Sequence, residues 1–295
     1  MTILKPEKLS KGQLADMKNL VEICNGHDDL NCSVDVDESF KTVDDINTFL
    51  LYGEDRLLAY IDMFAPKSTE AELTAFTLPE YRRKGFFKML LKEAAAEVIK
   101  RGIREILFVC DRQSLDGQNV VHHLNALYEY SEYMMKYRKA DLKKKTISQP
   151  FIRESEPEDI EQLVRLSLLS FDKSREDAEN YINLVLTAKS RIQHVGLIDG
   201  QIAGMISTAL EEGRSYIHGL CVFPDSRRQG IGAALLEYKV SEALVNHPDN
   251  DIVLEVLTEN DDALSIYRRA GFETIACYDY FRIAAIDIGG TKNQS

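Results

Sequence analysis

Short apolar runs rich in β-branched residues alternate along this chain with stretches whose apolar positions recur every three or four residues. That is the pattern of strands interleaved with amphipathic helices. Residues 105–111 (EILFVCD) and 251–257 (DIVLEVL) read as strands, as do 72–79 (ELTAFTLP) and 217–224 (IHGLCVFP). Residues 194–210 (HVGLIDGQIAGMISTAL) read as two strands around Asp199-Gly200, a strong hairpin signal, and residues 49–64 (FLLYGEDRLLAYIDMF) as their counterpart, turning at Gly53-Glu54-Asp55. Within 151–171 (FIRESEPEDIEQLVRLSLLSF) a short strand precedes a helix on which Ile160, Leu163, Val164 and Leu168 share a face. Ser155 is the expected N-cap there, with Glu158 closing a capping box and Pro157 in the first turn, where its missing N–H does no harm. Residues 280–288 (YFRIAAIDI) read as a last strand with a frayed Gly-Gly end.

The pattern repeats. At an offset of 145, Pro79 falls on Pro224, Arg82 and Arg83 on Arg227 and Arg228, Gly85 on Gly230, and Leu90-Leu91 on Leu235-Leu236. Each half therefore reads β-α-(α)-β-β-β-α-β-α-β, an α/β fold on a mixed sheet, written twice. The first domain is assigned to residues 1–145 and the second to 150–287, with 288–295 as a tail. The lysine-rich stretch 139–150 (KADLKKKTISQP) serves as the boundary. The phrase AIDIGGTK in the tail looks like a sugar-kinase phosphate loop, but only three residues follow it, where that fold needs a whole domain.

Charge and cysteine content narrow the function. The net charge of −12 argues against a nucleic-acid partner. Basic and acidic residues number 22 and 24 before Pro150 but 14 and 24 from there on, so the second half holds most of the excess and can attract a cationic substrate. No apolar run reaches the roughly 20 residues of a membrane span, and the N-terminus lacks a signal-peptide core. Five scattered cysteines without a C-x-x-C pair speak against a disulfide framework and a zinc site, so no metal is expected and a cytoplasmic setting is.

The chemistry concentrates in the second half. Residues 227–238 (RRQGIGAALLEY) follow a strand and open a helix. Gly230 and Gly232 let backbone approach a ligand, the helix start aims N–H groups and a positive dipole end at it, and Arg227 and Arg228 add charge. Gln229, Ile231 and Ala233 complete the loop. No Gly-Lys-Ser/Thr follows, and Leu235 stands where a dinucleotide loop needs its third glycine, so this is neither a Walker loop nor a Rossmann turn. About thirty residues on, 255–272 (EVLTENDDALSIYRRAGF) carries Asn260, Ala263, Tyr267, Gly271 and Phe272.

With both stretches in order, the chain resembles the GNAT superfamily of acyl-CoA-dependent N-acetyltransferases. Its R-x-x-G-x-G/A loop matches Arg227, Gly230 and Gly232, and its N-x-x-A-x-x-x-Y-x-x-x-G-F signature matches from Asn260 to Phe272 without a gap. The likeness covers residues 151–285 and, more faintly, 1–140. It implies tandem domains with splayed central strands, acetyl-CoA as co-substrate, and direct transfer of the acetyl group to a primary amine of a small molecule or peptide. It also implies pantetheine and oxyanion contacts from the backbone of Leu220 and Val222, a pantetheine contact from Asn260, and Tyr267 as proton donor to the departing thiolate. For the general base the residues leave His218 and Glu255 open, the phase of their strands deciding which faces the cleft. Cys221 is read as buried packing. The alternative function is a CoA-binding regulatory or interaction protein without catalysis. Monomer and homodimer are both open.

The first copy keeps Arg82, Arg83 and Gly85, a candidate second cofactor site, but has Phe87 at the second glycine and nothing matching the second signature. The position of Tyr267 falls on Val121 or His122, that of Gly271 on Asn125 or Ala126. A degenerate supporting domain is the expectation, and the alternative is a second CoA site served by His122 or Tyr128.

Overall fold

The computed structural model describes residues 1–34, 45–65, 68–138, 150–171, 174–211 and 213–288. In chain order the elements are β1 (Thr2–Leu4), α1 (Lys11–Asp28), β2 (Thr48–Gly53), β3 (Arg56–Phe64), β4 (Glu70–Thr77), α2 (Phe86–Lys100), β5 (Glu105–Asp111), α3 (Leu115–His123) and β6 (Leu127–Tyr137). The second half continues with β7 (Phe151–Glu154), α4 (Ile160–Ser170), α5 (Arg175–Thr187), β8 (Arg191–Ile198), β9 (Gln201–Glu211), β10 (Arg214–Val222), α6 (Ile231–Asn246), β11 (Asp251–Leu257), α7 (Asp261–Arg269) and β12 (Phe272–Ala284). This is the expected order of strands and helices, twice. Both expected hairpins are present: Asp199 and Gly200 turn β8 into β9 at φ 49° and 77°, and Glu54 turns β2 into β3 at φ 53°.

The chain forms two compact units, and their bounds differ from the expected division at 145 and 150. The first holds Met1–Ser131 and Ala276–Ser295, the second Glu132–Ile275. The reason is an exchange of last strands. Residues Tyr278–Ala284 of β12 pair antiparallel with β5 in the first unit, while Glu132–Lys136 of β6 pair antiparallel with β11 in the second. The expected linker at 139–149 and the tail from 289 on lie outside the described residues. Two local expectations also change. The capping box before α4 is made by Glu156 and Asp159, one residue later than Ser155 and Glu158, because Asp159 is fixed by Arg153 at 2.7 and 2.9 Å and accepts the Glu156 N–H. The last strand ends at Ala284 and is followed by a single 3₁₀ turn over Ala285–Asp287.

In the second unit two apolar cores lie on opposite faces of the sheet. Ile206, Ile217, Leu254 and Val256 bury against α6 and α7, which contribute Leu235, Leu236, Val240, Leu264 and Tyr267. Val195, Met205 and Cys221 bury against α4 and α5, through Leu163, Val164, Ala178 and Ile182. Each fully buried aliphatic side chain contributes roughly 1.5–3 kcal/mol, so both helix layers are firmly seated. The first unit has one continuous core, which Phe281 and Ala285 help to fill. Among the described residues no helix is long and apolar enough to cross a membrane, and no group of three or more His, Cys, Asp or Glu could hold a metal ion.

Candidate functional site

The site of the second unit begins where β10 and β11 part. They pair in parallel only from Arg214 with Asp251 to Ile217 with Leu254, although β10 runs on to Val222 and β11 to Leu257. Beyond Ile217 the strands splay. On the other side, β10 keeps its partner β9 but slips by one residue, with His218 opposite Ser207 and Cys221 opposite Met205. Gly219 and Leu220 are thus two residues where the ladder has room for one, a β-bulge that turns their peptide groups out of the ladder. Gly219 takes φ 65°, which glycine adopts freely. Across the bulge Gly204 is held close: a Cβ there would lie 2.8 Å from the Cys221 carbonyl oxygen. Leu220 and Val222 flank this region and pack toward α6 and α7.

From Val222 the chain runs through a 3₁₀ turn (Pro224–Ser226) into the loop Arg227–Gly230 and then α6. Arg228 at φ 60° and Gly230 at φ 85° curl the loop around the helix start. Arg227 Nε donates to the Val222 carbonyl at 3.1 Å and Gln229 Nε2 to the Asp225 carbonyl at 3.2 Å, so both side chains brace the loop. Gly230 offers no side-chain cap, which leaves the first N–H groups of α6, from Ile231, Gly232 and Ala233, directed at the loop's hollow. At Gly232 a Cβ would meet Val222 at 3.6 Å and Ile266 at 3.7 Å, ordinary contacts that a larger side chain would exceed.

Asn260 caps α7, its Oδ1 accepting the Ala263 N–H at 3.1 Å. Nearly two turns into that helix Tyr267 is buried, edge-on to Phe272 at 6.1 Å between ring centres. Burial, helped by the neighbouring Cys221, pushes its phenol up to about 12. The ring therefore keeps its proton at any physiological pH.

His218 and Glu255 both face the α4–α5 side of the sheet, opposite Ile217, Leu254 and Val256. Glu255 is half-buried. His218 is fixed at both nitrogens: Nε2 lies 3.0 Å from Arg191 Nη1 and Nδ1 lies 2.5 Å from Tyr181 Oη. A guanidinium can only donate, so Nε2 accepts, the ring is neutral, and its proton sits on Nδ1, donated to Tyr181. With Arg191 in place, the His218 lone pair is already used. Neither Tyr181 nor Arg191 carries a motif that sequence reasoning could have used. Gly204 does carry one, since a glycine inside a strand signals a bulge or a close backbone approach.

The first unit reproduces the loop but not the strand. Arg83 at φ 59° and Gly85 at φ 84° match Arg228 and Gly230, and Arg82 Nε donates to Thr77 O as Arg227 does to Val222 O. Arg82, however, is held by two carboxylates, Asp28 at 2.5 Å and Asp116 at 3.0 Å, and its guanidinium keeps the Asp28 carboxyl below the usual range. Strand β4 has no bulge: it runs against β3 without a register shift from Phe64–Glu72 to Ala59–Thr77. The 145-residue offset therefore slips. Thr77 corresponds to Val222, 145 on, but Leu73, opposite Met63, corresponds to Ile217, opposite Thr208 and only 144 on. Ala59 stands where Gly204 does, its Cβ tolerated because no carbonyl bulges toward it. The Phe87 ring packs 6.4 Å from Phe108, the residue at which β5 leaves β4. Aligned on their caps Ser114 and Asn260, α3 places buried Val121 at the Tyr267 position and Asn125, at φ 55°, at that of Gly271. His122 lies instead against Phe281 at 6.3 Å, as does Tyr128 at 6.0 Å.

Residues 158–272 match the Acetyltransferase (GNAT) family. The chain is 34% identical over 79 residues to the peptidyl-lysine N-acetyltransferase YiaC of Escherichia coli, covering 27% of this chain and 48% of that protein. It is 33% identical over 86 residues to the mycothiol acetyltransferase of Clavibacter sepedonicus, 29% of this chain and 28% of that one. The chain thus spans less than half the length of either relative. A tandem GNAT protein from the clavulanic acid biosynthesis pathway has the same fold along 96% of this chain and 98% of its own, with a TM-score of 0.75 at 12% identity.

Proposed function

From a chain whose residues 158–272 match the Acetyltransferase (GNAT) family, we propose that the second unit is an acetyl-CoA-dependent N-acetyltransferase acting in the cytoplasm. It moves the acetyl group directly to a primary amine of a small molecule or peptide, and the first unit supports it without chemistry of its own. The observation that carries this reading is the coincidence in one unit of the bulge, the open glycine loop and Tyr267; the first unit has only the loop.

Bound acetyl-CoA would supply an activated acyl group and a good leaving group. The residues present fit it: the loop Arg227–Gly230 and the N–H groups of Ile231, Gly232 and Ala233 suit a pyrophosphate, with Arg228 adding charge. The backbone at Leu220 and Val222 suits the amides of an extended arm lying in the splay, and Asn260 retains its N–H donors beside its capping oxygen. The peptide groups freed by the bulge are donors for a developing oxyanion. Tyr267 is the proton donor to the thiolate. Its raised pKa does not spoil the match, because burial disfavours a thiolate as it does a phenolate and pushes a thiol in the same surroundings upward as well. Glu255, working through a water, is a better base than His218, whose lone pair Arg191 occupies.

Calorimetric titration of acetyl-CoA tests the reading. One site is expected, lost in Gly232→Phe, which writes the first unit's Phe87 into the second. Two sites would give the first unit a working cleft, and no binding would overturn the acetyl-CoA reading. In a thiol-release assay Tyr267→Phe should lower turnover by about 10²-fold with acetyl-CoA affinity unchanged.

A further inference from the structure

His218 is less a base than the middle of a chain. Arg191 Nη1 donates to its Nε2 at 3.0 Å, and its Nδ1–H donates to Tyr181 Oη at 2.5 Å. The tautomer follows from the guanidinium, which has no lone pair to offer. Tyr181 therefore receives a proton at its oxygen and does not spend its own on His218. A phenol whose oxygen accepts a hydrogen bond backed by a cation is a stronger donor than a free phenol, since each bond polarises the next. The two rings meet nearly edge-on, at 78° and 6.1 Å, which fixes the phenol's direction.

That direction is toward the bulge. Tyr181 Oη lies 3.7 Å from the point where a Cβ on Gly219 would sit, and Gly219 is the bulged residue itself. Glycine leaves that volume open beside the hydroxyl. Ser207 Oγ, fully buried and without a hydrogen-bond partner among the described residues, lies 3.7 Å from the same point. The bulge is also where backbone donors are turned out of the ladder, so a carbonyl oxygen held there comes within reach of the Tyr181 hydroxyl.

We propose that Tyr181 donates a hydrogen bond to the thioester carbonyl oxygen at the bulge, as a side-chain member of the oxyanion site, with His218 and Arg191 as its positioning residues. The step is hydrogen bonding alone. No proton changes owner: as the amine nitrogen bonds to the carbonyl carbon, the C=O π pair moves onto oxygen, and the Tyr181 O–H shortens its bond to that oxygen. The inference rests on the acetyl-CoA reading above, and its test separates the two.

The test is the carbonyl stretch of acetyl-CoA labelled with carbon-13 at the acetyl carbonyl, recorded by difference infrared spectroscopy on the full chain, with affinity measured alongside by calorimetry. In the wild type the bound band should lie below that of free acetyl-CoA. Tyr181→Phe should return it toward the free position, and His218→Leu should return it part of the way, both with acetyl-CoA affinity within about twofold. Tyr267→Phe should leave it unmoved. A band that stays in place in Tyr181→Phe would overturn the proposal while leaving the acetyl-CoA site intact. Failure of the wild type to bind acetyl-CoA would instead remove the reading beneath it. A fold-preserving loss of turnover in Tyr181→Phe, about 10²-fold in the maximal rate with little change in half-saturation, is the kinetic counterpart.

Discussion

A buried histidine sets an acid limit on this protein. His194, on β8, is almost fully enclosed, its ring 4.9 Å from that of Tyr238, its Nε2 3.7 Å from Glu242, with the buried Lys239 bound to Glu242 at 2.7 Å. Burial above all, and then the Lys239 charge, depress the imidazole from 6.5 to about 4, against the pull of Glu242. The folded state thus refuses a proton that the unfolded chain accepts below pH 6.5. Stability from this group is whole above pH 6.5 and is lost as the pH falls toward 4, by about 2–3 kcal/mol at the lower end. Denaturant midpoints at pH 7.5 and 4.5 should separate by more in the wild type than in His194→Gln; equal separations would show that other groups carry the acid lability. At this scale part of the proposed site was legible in the sequence. Asn260, Tyr267, Gly230 and Gly232 stood out because their motifs depend on spacing along one short segment. Tyr181, His218 and Arg191 were not, because their hydrogen bonds span 37 and 27 residues and a lone strand histidine says nothing of its tautomer.

Among elements, the bulge is the difference between β10 and β4, and on the proposed function it is what lets β10 receive a carbonyl. It demands Gly204, and the structure predicts an asymmetry. Gly204→Ala should force the Cys221 carbonyl away, destabilise by about 1–3 kcal/mol, and weaken acetyl-CoA binding about tenfold. Its mirror, Ala59→Gly, should lower stability by only about 0.5–1 kcal/mol and leave binding unchanged. Melting temperatures and calorimetry on the two variants check this, and equal losses of binding would remove the bulge from the argument. The order of elements was readable from periodicity, since strand and helix periods are local properties. The bulge was not, because aligning the halves at a constant offset hides a one-residue slip inside a strand whose two ends both look apolar.

For the whole chain, the exchange of last strands makes each unit depend on both halves of the sequence. Asp279, from the chain's final strand, accepts from Arg112 and Ser131 at 2.6 Å and from Gln118 at 3.1 Å, all in the first unit, where Tyr280 also stacks on Tyr130 at 4.4 Å. Met135, from the first half, is fully buried in the second unit's core. Fragments 1–145 and 150–295 expressed alone should therefore show no cooperative unfolding, while co-expression should restore it. Two separately stable fragments would refute the exchange. Sequence reading placed the division at the polar stretch 139–150, where local composition changes. Nothing local says which half's strands a last strand will pair with, since β6 and β12 follow equivalent helices and must satisfy equivalent edges.

The slip of one residue between β4 and β10 also bears on how the two copies can be interconverted. Base substitutions change what a position carries, but they cannot change how many positions lie between Leu73 and Thr77 or between Ile217 and Val222. Passing from one strand to the other takes a whole codon gained or lost in frame, and the bulge absorbs that residue, so that Ile217 and Val222, five positions apart, still share a face. Replacing Phe87 by glycine would remove the ring packed against Phe108 and would leave the missing residue of β4 missing. The first copy is separated from the second by an indel, a barrier that accumulated point mutations do not cross.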